Sequence, residues 1–291
     1  MEISEKAPAK LNISLDTPYR HPSGDPEWDM VMTSIDLADY VTITSTDSSS
    51  DQITVETNSG FLPCDQRNLA FQAAATLKNK FNIHQKVAIK IKKNIPVAAG
   101  MGGGSSDAAA VLRGLNRLWH LGLSTKELAQ IGLQIDSDVP FCVYSQTARV
   151  TGRGEVITPL LPLPPMWLVI AKIRASVSTP RILRQINYKK IDHQDVDAVV
   201  DAIQHNDLDG LCASMGNSLE KITCMKHPQI LKIKNAMLKS GAIAAQMSGT
   251  GPTVFGICPK QNQAQHVYNS LKGFCKDVYI VRPLHIRNDH E

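Results

Sequence analysis

Residues 96–106 read Pro96-Val97-Ala98-Ala99-Gly100-Met101-Gly102-Gly103-Gly104-Ser105-Ser106, and an alanine-rich helical pattern begins at Asp107. Four glycines in five positions strip the side chains from this backbone. Its N–H groups can then turn toward an anion without Cβ clashes. Ser105 and Ser106 are expected to cap the helix that follows, whose positive dipole end adds to the attraction. Loop, hydroxyls and helix terminus together form a phosphate cradle. The alternative is a tight glycine turn before a packed helix, but such a run is costly in chain entropy without a bound partner.

The common cradles do not fit. A P-loop needs a lysine after its last glycine, and none follows here. A dinucleotide fingerprint needs glycine where Ser105 stands and a strand running straight into the loop, which Pro96 interrupts. Neither a His-Arg-Asp nor an Asp-Phe-Gly signature of protein kinases occurs.

Outward from the loop, Val87, Ile89 and Ile91 alternate with other residues as a half-buried strand does. Further upstream, residues 40–46 and 52–56 read as strands and 66–81 as a helix. Downstream, Ala108, Val111, Leu112, Leu115 and Leu118 share one helical face that Gly122 ends. Ser124 and Glu127 form a capping box for a helix near 125–135. Asp136-Ser137-Asp138-Val139-Pro140 then reads as a turn into a strand over 141–144. Four prolines between Pro159 and Pro165 exclude a helix interior or a central strand, and the domain boundary is placed there. Beyond it the pattern predicts a strand over 167–173, helices near 195–220 and 229–240, strands near 242–247 and 253–258, a helix near 262–273 and a strand near 277–282. That order suits an antiparallel sheet with helices on one side, an α+β layout.

The 291 residues are 43% apolar and 20% charged, which describes a soluble globular protein of one large or two ordinary domains. The net charge of +4 is too mild and dispersed for a nucleic-acid binder. None of the six cysteines forms a C-x-x-C pair or has zinc spacing, so idle thiols in a reducing compartment are expected. The first residues carry no apolar signal region, and no apolar run approaches a membrane span. A cytoplasmic protein is expected, with no nucleic-acid or membrane partner.

Three further points carry chemistry. Lys93 precedes the loop and is either a phosphate or nucleotide contact or a solvated strand edge. Asp138 sits where a turn can aim a carboxylate at an alcohol proton, or merely closes a turn before Pro140. Lys10, within Ala7-Pro8-Ala9-Lys10-Leu11-Asn12, is either held inward as a fixed positive charge or snorkels from an edge strand. A second glycine turn, Ser248-Gly249-Thr250-Gly251-Pro252, can pack small backbone against the first loop or be a plain hairpin turn.

Taken together, these motifs resemble the GHMP small-molecule kinases over nearly the whole chain. Within that family, Ala7–Asn12, Ala99–Asp107, Ser137–Phe141 and Ser248–Pro252 look most like the branch whose acceptor alcohol is a cytidylyl-linked methylerythritol. The resemblance implies a ribosomal-protein-S5-like N-terminal domain over 1–160 and a ferredoxin-like C-terminal domain over 166–287. It implies phosphoryl transfer from ATP, accompanied by Mg²⁺, to a small-molecule alcohol. Asp138 is then the proton acceptor and Lys10 its catalytic partner. Residues 96–106 hold the ATP phosphates, Asn68 and Lys93 match nucleotide-contacting positions, and Asn12 and Thr179 match positions near the acceptor. The oligomeric state stays open between monomer and homodimer. Two departures stand out: Gly24-Asp25-Pro26 replaces the usual Gly-Tyr-His that holds the cytosine, and Asp136 replaces a common glycine.

Overall fold

The computed structural model describes residues 1–48, 50–175 and 177–284. The expected end of the second domain at residue 287 lies outside them. Contacts divide the chain into two units: residues 1–9, 37–96 and 102–145 form the first, and residues 10–36, 97–101 and 146–291 the second.

Two long strands contribute to both units, β1 (Glu2–Asp16) and β2 (Trp28–Thr46). In the first unit, β3 (Ile53–Thr57) leads to α1 (Leu69–Phe81), which Asn68 caps, and then to β4 (Lys86–Lys92). Residues 40–46 of β2 pair antiparallel with β4, while β3 lies parallel to β4 on its other side. The alternation of Val87, Ile89 and Ile91 turns these three to the core, where they are buried.

The glycine loop leads into α2 (Gly103–Leu118). The helix starts four residues before Asp107, and its N-cap is Gly102 at φ +63°, with no side-chain cap bond. Ser105 and Ser106 therefore lie inside the first turn and do not cap it. Their hydroxyls go elsewhere, Ser106 Oγ donating to Pro8 O and Ser105 Oγ to Asp136 Oδ1. Gly114 lets α2 settle on the sheet, since a Cβ there would clash with Ile43 Cδ1. The helix ends at Leu118, before Gly122.

The capping box of Ser124 and Glu127 opens α3 (Thr125–Leu133) as expected. Residues 141–144 differ from expectation: together with Val139 and Pro140 they form a short helix, α4 (Val139–Tyr144), and not a strand. Pro140 suits a first helical turn as well as a strand entry. Burial of the whole run 139–143 against neighbouring helices supplies no alternation to hold a strand.

In the second unit, residues 28–32 of β2 pair with β5 (Ala148–Gly152), which pairs with β6 (Val156–Pro159). A four-stranded antiparallel sheet is built from β7 (Trp167–Lys172), β8 (Ala244–Met247), β9 (Thr253–Cys258) and β10 (Asp277–Val281), in the order β10-β7-β9-β8. Between β7 and β8 run α5 (Thr179–Leu183), α6 (Val196–Gln204), α7 (Leu208–Ser214), α8 (Glu220–Lys226) and α9 (Gln229–Lys239). The single helix expected near 195–220 is thus broken. Asn206 takes φ +52°, and Asp207 caps a new helix through Gly210 N. Ile230, Ile233 and Met237 of α9, with Ala264, Val267 and Leu271 of α10 (Gln261–Lys272), pack against Val169, Ala171 and Val254 of the sheet. Among the described residues no helix is long and apolar enough to cross a membrane.

Candidate active site

In the first unit the beginning of α2 has neither a side-chain cap nor an acidic residue in its first turn. The first amides of a helix have no partner within the helix, so this end is suited to an external anion. The start of α1 lies beside it, a Cβ on Gly104 being 3.5 Å from Leu69 Cδ1. Asn68, next to Leu69, spends its side chain on structure. Its Oδ1 accepts from Ala70 N at 2.9 Å and its amide donates to Pro63 O at 2.8 Å.

Lys93 is not a solvated edge residue. Its side chain is 7% exposed and its ammonium lies between Asp39 and Asp107, 2.6 Å from the latter. Asp39 also accepts from the backbone N–H groups of Asn94 and Ile95, which fixes the turn leaving β4. Burial alone would lower the Lys93 pKa, but Asp107 and Asp39 outweigh it and hold the ammonium above its usual range. Burial pushes the Asp107 carboxyl up, Lys93 pulls it down and Asp39 pushes it up again. A Cβ on Gly103 would lie 3.4 Å from the Lys93 ammonium, so this cluster sits directly under the start of α2.

Asp138 is the residue before α4 and makes no capping bond to that helix. Its backbone N–H donates to Asp136 Oδ1 at 3.0 Å. The same oxygen accepts from Ser105 Oγ at 2.8 Å, which links Asp138 to the first turn of α2.

In the second unit Lys10 is held inward, 5% exposed, and its ammonium donates to Asn12 Oδ1 at 2.9 Å. The loop 97–101 is fastened through alternate carbonyls. Val97 O accepts from Lys172 Nζ, Ala99 O from Thr253 Oγ1 and Met101 O from Lys10 N. Ala98, Gly100 and Gly102 take positive φ. With one set of carbonyls tied down, the intervening peptides are free to aim N–H groups outward, as a backbone cradle requires. The second glycine turn does pack against this loop: a Cβ on Gly100 would lie 2.8 Å from Gly251 O.

That turn is itself anchored. Asn217 donates to Met247 O and Gly249 O, at 2.8 Å each, and Ser248 Oγ accepts from Asn12 N at 3.0 Å. A Cβ on Gly249, at φ +59°, would lie 3.2 Å from Asn12 Oδ1. Thr179 reaches the same turn through Thr250, their hydroxyls 2.9 Å apart. Lys10, Asn12, Thr179 and residues 97–101 are thus gathered around one turn. In the segment 19–28, Tyr19 and His21 stand edge to face with centroids 5.3 Å apart. His21 also pairs with Glu27 at 2.6 Å.

Sequence reasoning missed Asp39, Asp107, Asn217 and Thr253 as supports. Asp39 and Asn217 lie in unremarkable contexts. Thr253 follows the glycine turn directly, and Asp107 is an acid on an otherwise alanine-rich helix; those two were within reach.

Residues 68–146 match the GHMP kinases N terminal domain, and residues 199–277 match the GHMP kinases C terminal family. A 4-diphosphocytidyl-2-C-methyl-D-erythritol kinase of Ligilactobacillus salivarius is 66% identical over 284 residues, 98% of each chain. The protein of the same name from Lactiplantibacillus plantarum is 62% identical over the full length of both chains. A crystal structure of 4-(cytidine 5'-diphospho)-2C-methyl-D-erythritol kinase has a TM-score of 0.82 at 26% identity, covering 97% of this chain and 99% of that one. A homoserine kinase from Cytophaga hutchinsonii shares the fold, with a TM-score of 0.78 at 22% identity over 97% of this chain and 95% of its own. The architecture is the two-domain fold of these enzymes, and on both family matches and the full-length identities the chain belongs to the GHMP kinase family.

Proposed function

We propose that this kinase transfers the γ-phosphoryl group of ATP to the 2-hydroxyl of 4-diphosphocytidyl-2-C-methyl-D-erythritol, a step in non-mevalonate isoprenoid precursor synthesis. The observation that carries this reading is the 66% identity, over 98% of each chain, to a relative named 4-diphosphocytidyl-2-C-methyl-D-erythritol kinase. The segments 1–160 and 166–287 are read as the family's two domains.

The chemistry asks little covalent work of the protein, because phosphoryl transfer is governed by positioning and charge. Residues 96–106 bind the triphosphate through backbone N–H groups and the start of α2. Asn68 and Lys93 belong to the nucleotide side, and Asn12 and Thr179 to the acceptor side. Asp138 takes the alcohol proton as the new bond forms. Lys10 supplies fixed positive charge beside the attacking oxygen; its inward-held ammonium supports that role. Mg²⁺ enters as part of the MgATP substrate. Among the described residues no three His, Cys, Asp or Glu side chains are grouped to hold a metal.

The test is turnover with MgATP and the diphosphocytidyl alcohol, with kcat expected at about 1–100 s⁻¹. Asp138→Asn is expected to lower kcat by about 10²–10⁴-fold. Lys10→Ala is expected to lower kcat more than it raises the KM for ATP. Gly24-Asp25-Pro26, which offers no aromatic ring to a base, favours a second reading: a kinase of the same family acting on another alcohol. ATP binding without turnover of the diphosphocytidyl alcohol would decide for it.

A further inference from the structure

Asp136 is the residue at which the first unit joins its two chemical elements. It lies between α3 and α4, and one carboxylate oxygen serves two donors from different parts of the chain. Oδ1 accepts from Ser105 Oγ at 2.8 Å and from Asp138 N at 3.0 Å. Its own carbonyl accepts from Val139 N at 3.1 Å, completing a tight turn.

The local geometry explains why this matters for Asp138. An aspartate just before a helix ordinarily folds its carboxylate back onto the N–H of the second or third helical residue. Here the second residue, Pro140, has no N–H, the third, Phe141, keeps one, and the Asp138 side chain caps neither. The side-chain turn is supplied by Asp136 instead. The backbone of Asp138 is thereby held by the residue two positions upstream.

The Ser105 side is equally defined. A hydroxyl has one hydrogen, and that of Ser105 goes to Asp136. The hydroxyl rotor is thereby set, and its lone pairs are all that it offers to any other group.

We propose that Asp136 is a positioning residue: its Oδ1, as a shared acceptor, holds the first turn of α2 and the backbone of Asp138 to one point. The phosphate-binding turn and the proton-accepting carboxylate then keep a set spacing. This rests on the roles given above to Asp138 and residues 96–106. Both donors require an acceptor oxygen and not a charge. Asparagine retains that oxygen and alanine removes it.

The test is steady-state kinetics of D136A, D136N and D138N with MgATP and the diphosphocytidyl alcohol, with thermal unfolding to confirm that each variant folds. D136A is expected to lose about 10- to 100-fold in kcat, the order that a misplacement of about 1 Å costs. Its KM for ATP should change less than about threefold, and D136N should keep kcat within about threefold of wild type. A D136A enzyme with wild-type kcat, or a D136N enzyme as impaired as D136A, overturns the proposal. D138N separates the two readings: if it is active, the proton-acceptor role fails. If D138N is inactive beside a fully active D136A, the positioning role alone fails. A crystal structure of D136A decides the geometry without substrate. Displacement of the residue 138 backbone is expected, and unchanged positions of Ser105 Oγ and Asp138 overturn the proposal.

Discussion

Replacing Lys93 by methionine removes the only cation of a buried three-charge cluster and keeps the stem that packs there. The Lys93, Asp39 and Asp107 side chains are 7%, 0% and 4% exposed, so water cannot solvate what is left behind. Removing one partner of a buried ion pair costs about 3–5 kcal/mol, against about 0–1 kcal/mol for an exposed pair. The two carboxylates do not suffer equally. Asp39 keeps the N–H groups of Asn94 and Ile95. Asp107 Oδ1 is buried without a hydrogen-bond partner, so Asp107 is the group left uncompensated. Without Lys93 that carboxyl, already raised by burial, must stay charged or take up a proton at a cost, so Lys93→Met with Asp107→Asn removes the stranded acid and should recover much of the loss. At roughly 2–4 °C per kcal/mol, K93M lowers Tm by about 6–20 °C. The assay is thermal unfolding by circular dichroism at neutral pH, without ATP, for wild type, both single variants and the double variant. A Tm for K93M within about 2 °C of wild type, or a double variant less stable than K93M, refutes the assignment of this cluster as a stabilising anchor under α2.

The Asp107 carboxyl is raised from its ordinary 3.8 to about 7 by burial, despite Lys93. A raised acid contributes stability that is present below its unfolded pKa and lost as pH rises through the folded one, so Asp107→Asn should gain on wild type in urea midpoint from about pH 5 to about pH 7.5. A gap moving the other way contradicts this. Gly100→Ala forces a side chain into φ +73° and places its Cβ 2.8 Å from Gly251 O. Left-handed strain of about 1–2 kcal/mol plus overpacking of about 1–3 kcal/mol should raise the KM for ATP at least about tenfold. Gly60→Ala, at an open position, should not change it, and equal KM values for the two variants would refute the close-packed loop. The thiols of Cys224 and Cys258 are buried and pushed up to about 11 by burial, whereas Cys64 is exposed. Ellman's reagent at about pH 8 should label Cys64 rapidly, and Cys224 and Cys258 only after denaturation; rapid native labelling of all three would be the contrary result.

The glycine loop, the strand feeding it and the capping box at Ser124 were legible because each is set by neighbours in sequence. Bare backbone, period-two burial and a side chain three residues from its partner require no knowledge of the rest of the chain. The failures share the opposite cause. Ser105 and Ser106 read as helix caps because Ser commonly caps, but their hydroxyls are claimed by Asp136 and Pro8, 31 and 98 residues away. Residues 141–144 read as a strand because they are largely apolar, but the whole run 139–143 is buried and folds as a helix. Lys93 read equally as ligand or surface until Asp39, 54 residues upstream, was placed against it. Two residues separate Asp138 from Asp136, and from sequence either could have closed the turn before α4. What distinguishes them is that Asp138 makes no capping bond to α4, while Asp136 Oδ1 accepts from both Ser105 Oγ and Asp138 N. The Asp136 oxygen that binds two donors from separate segments is the structural one.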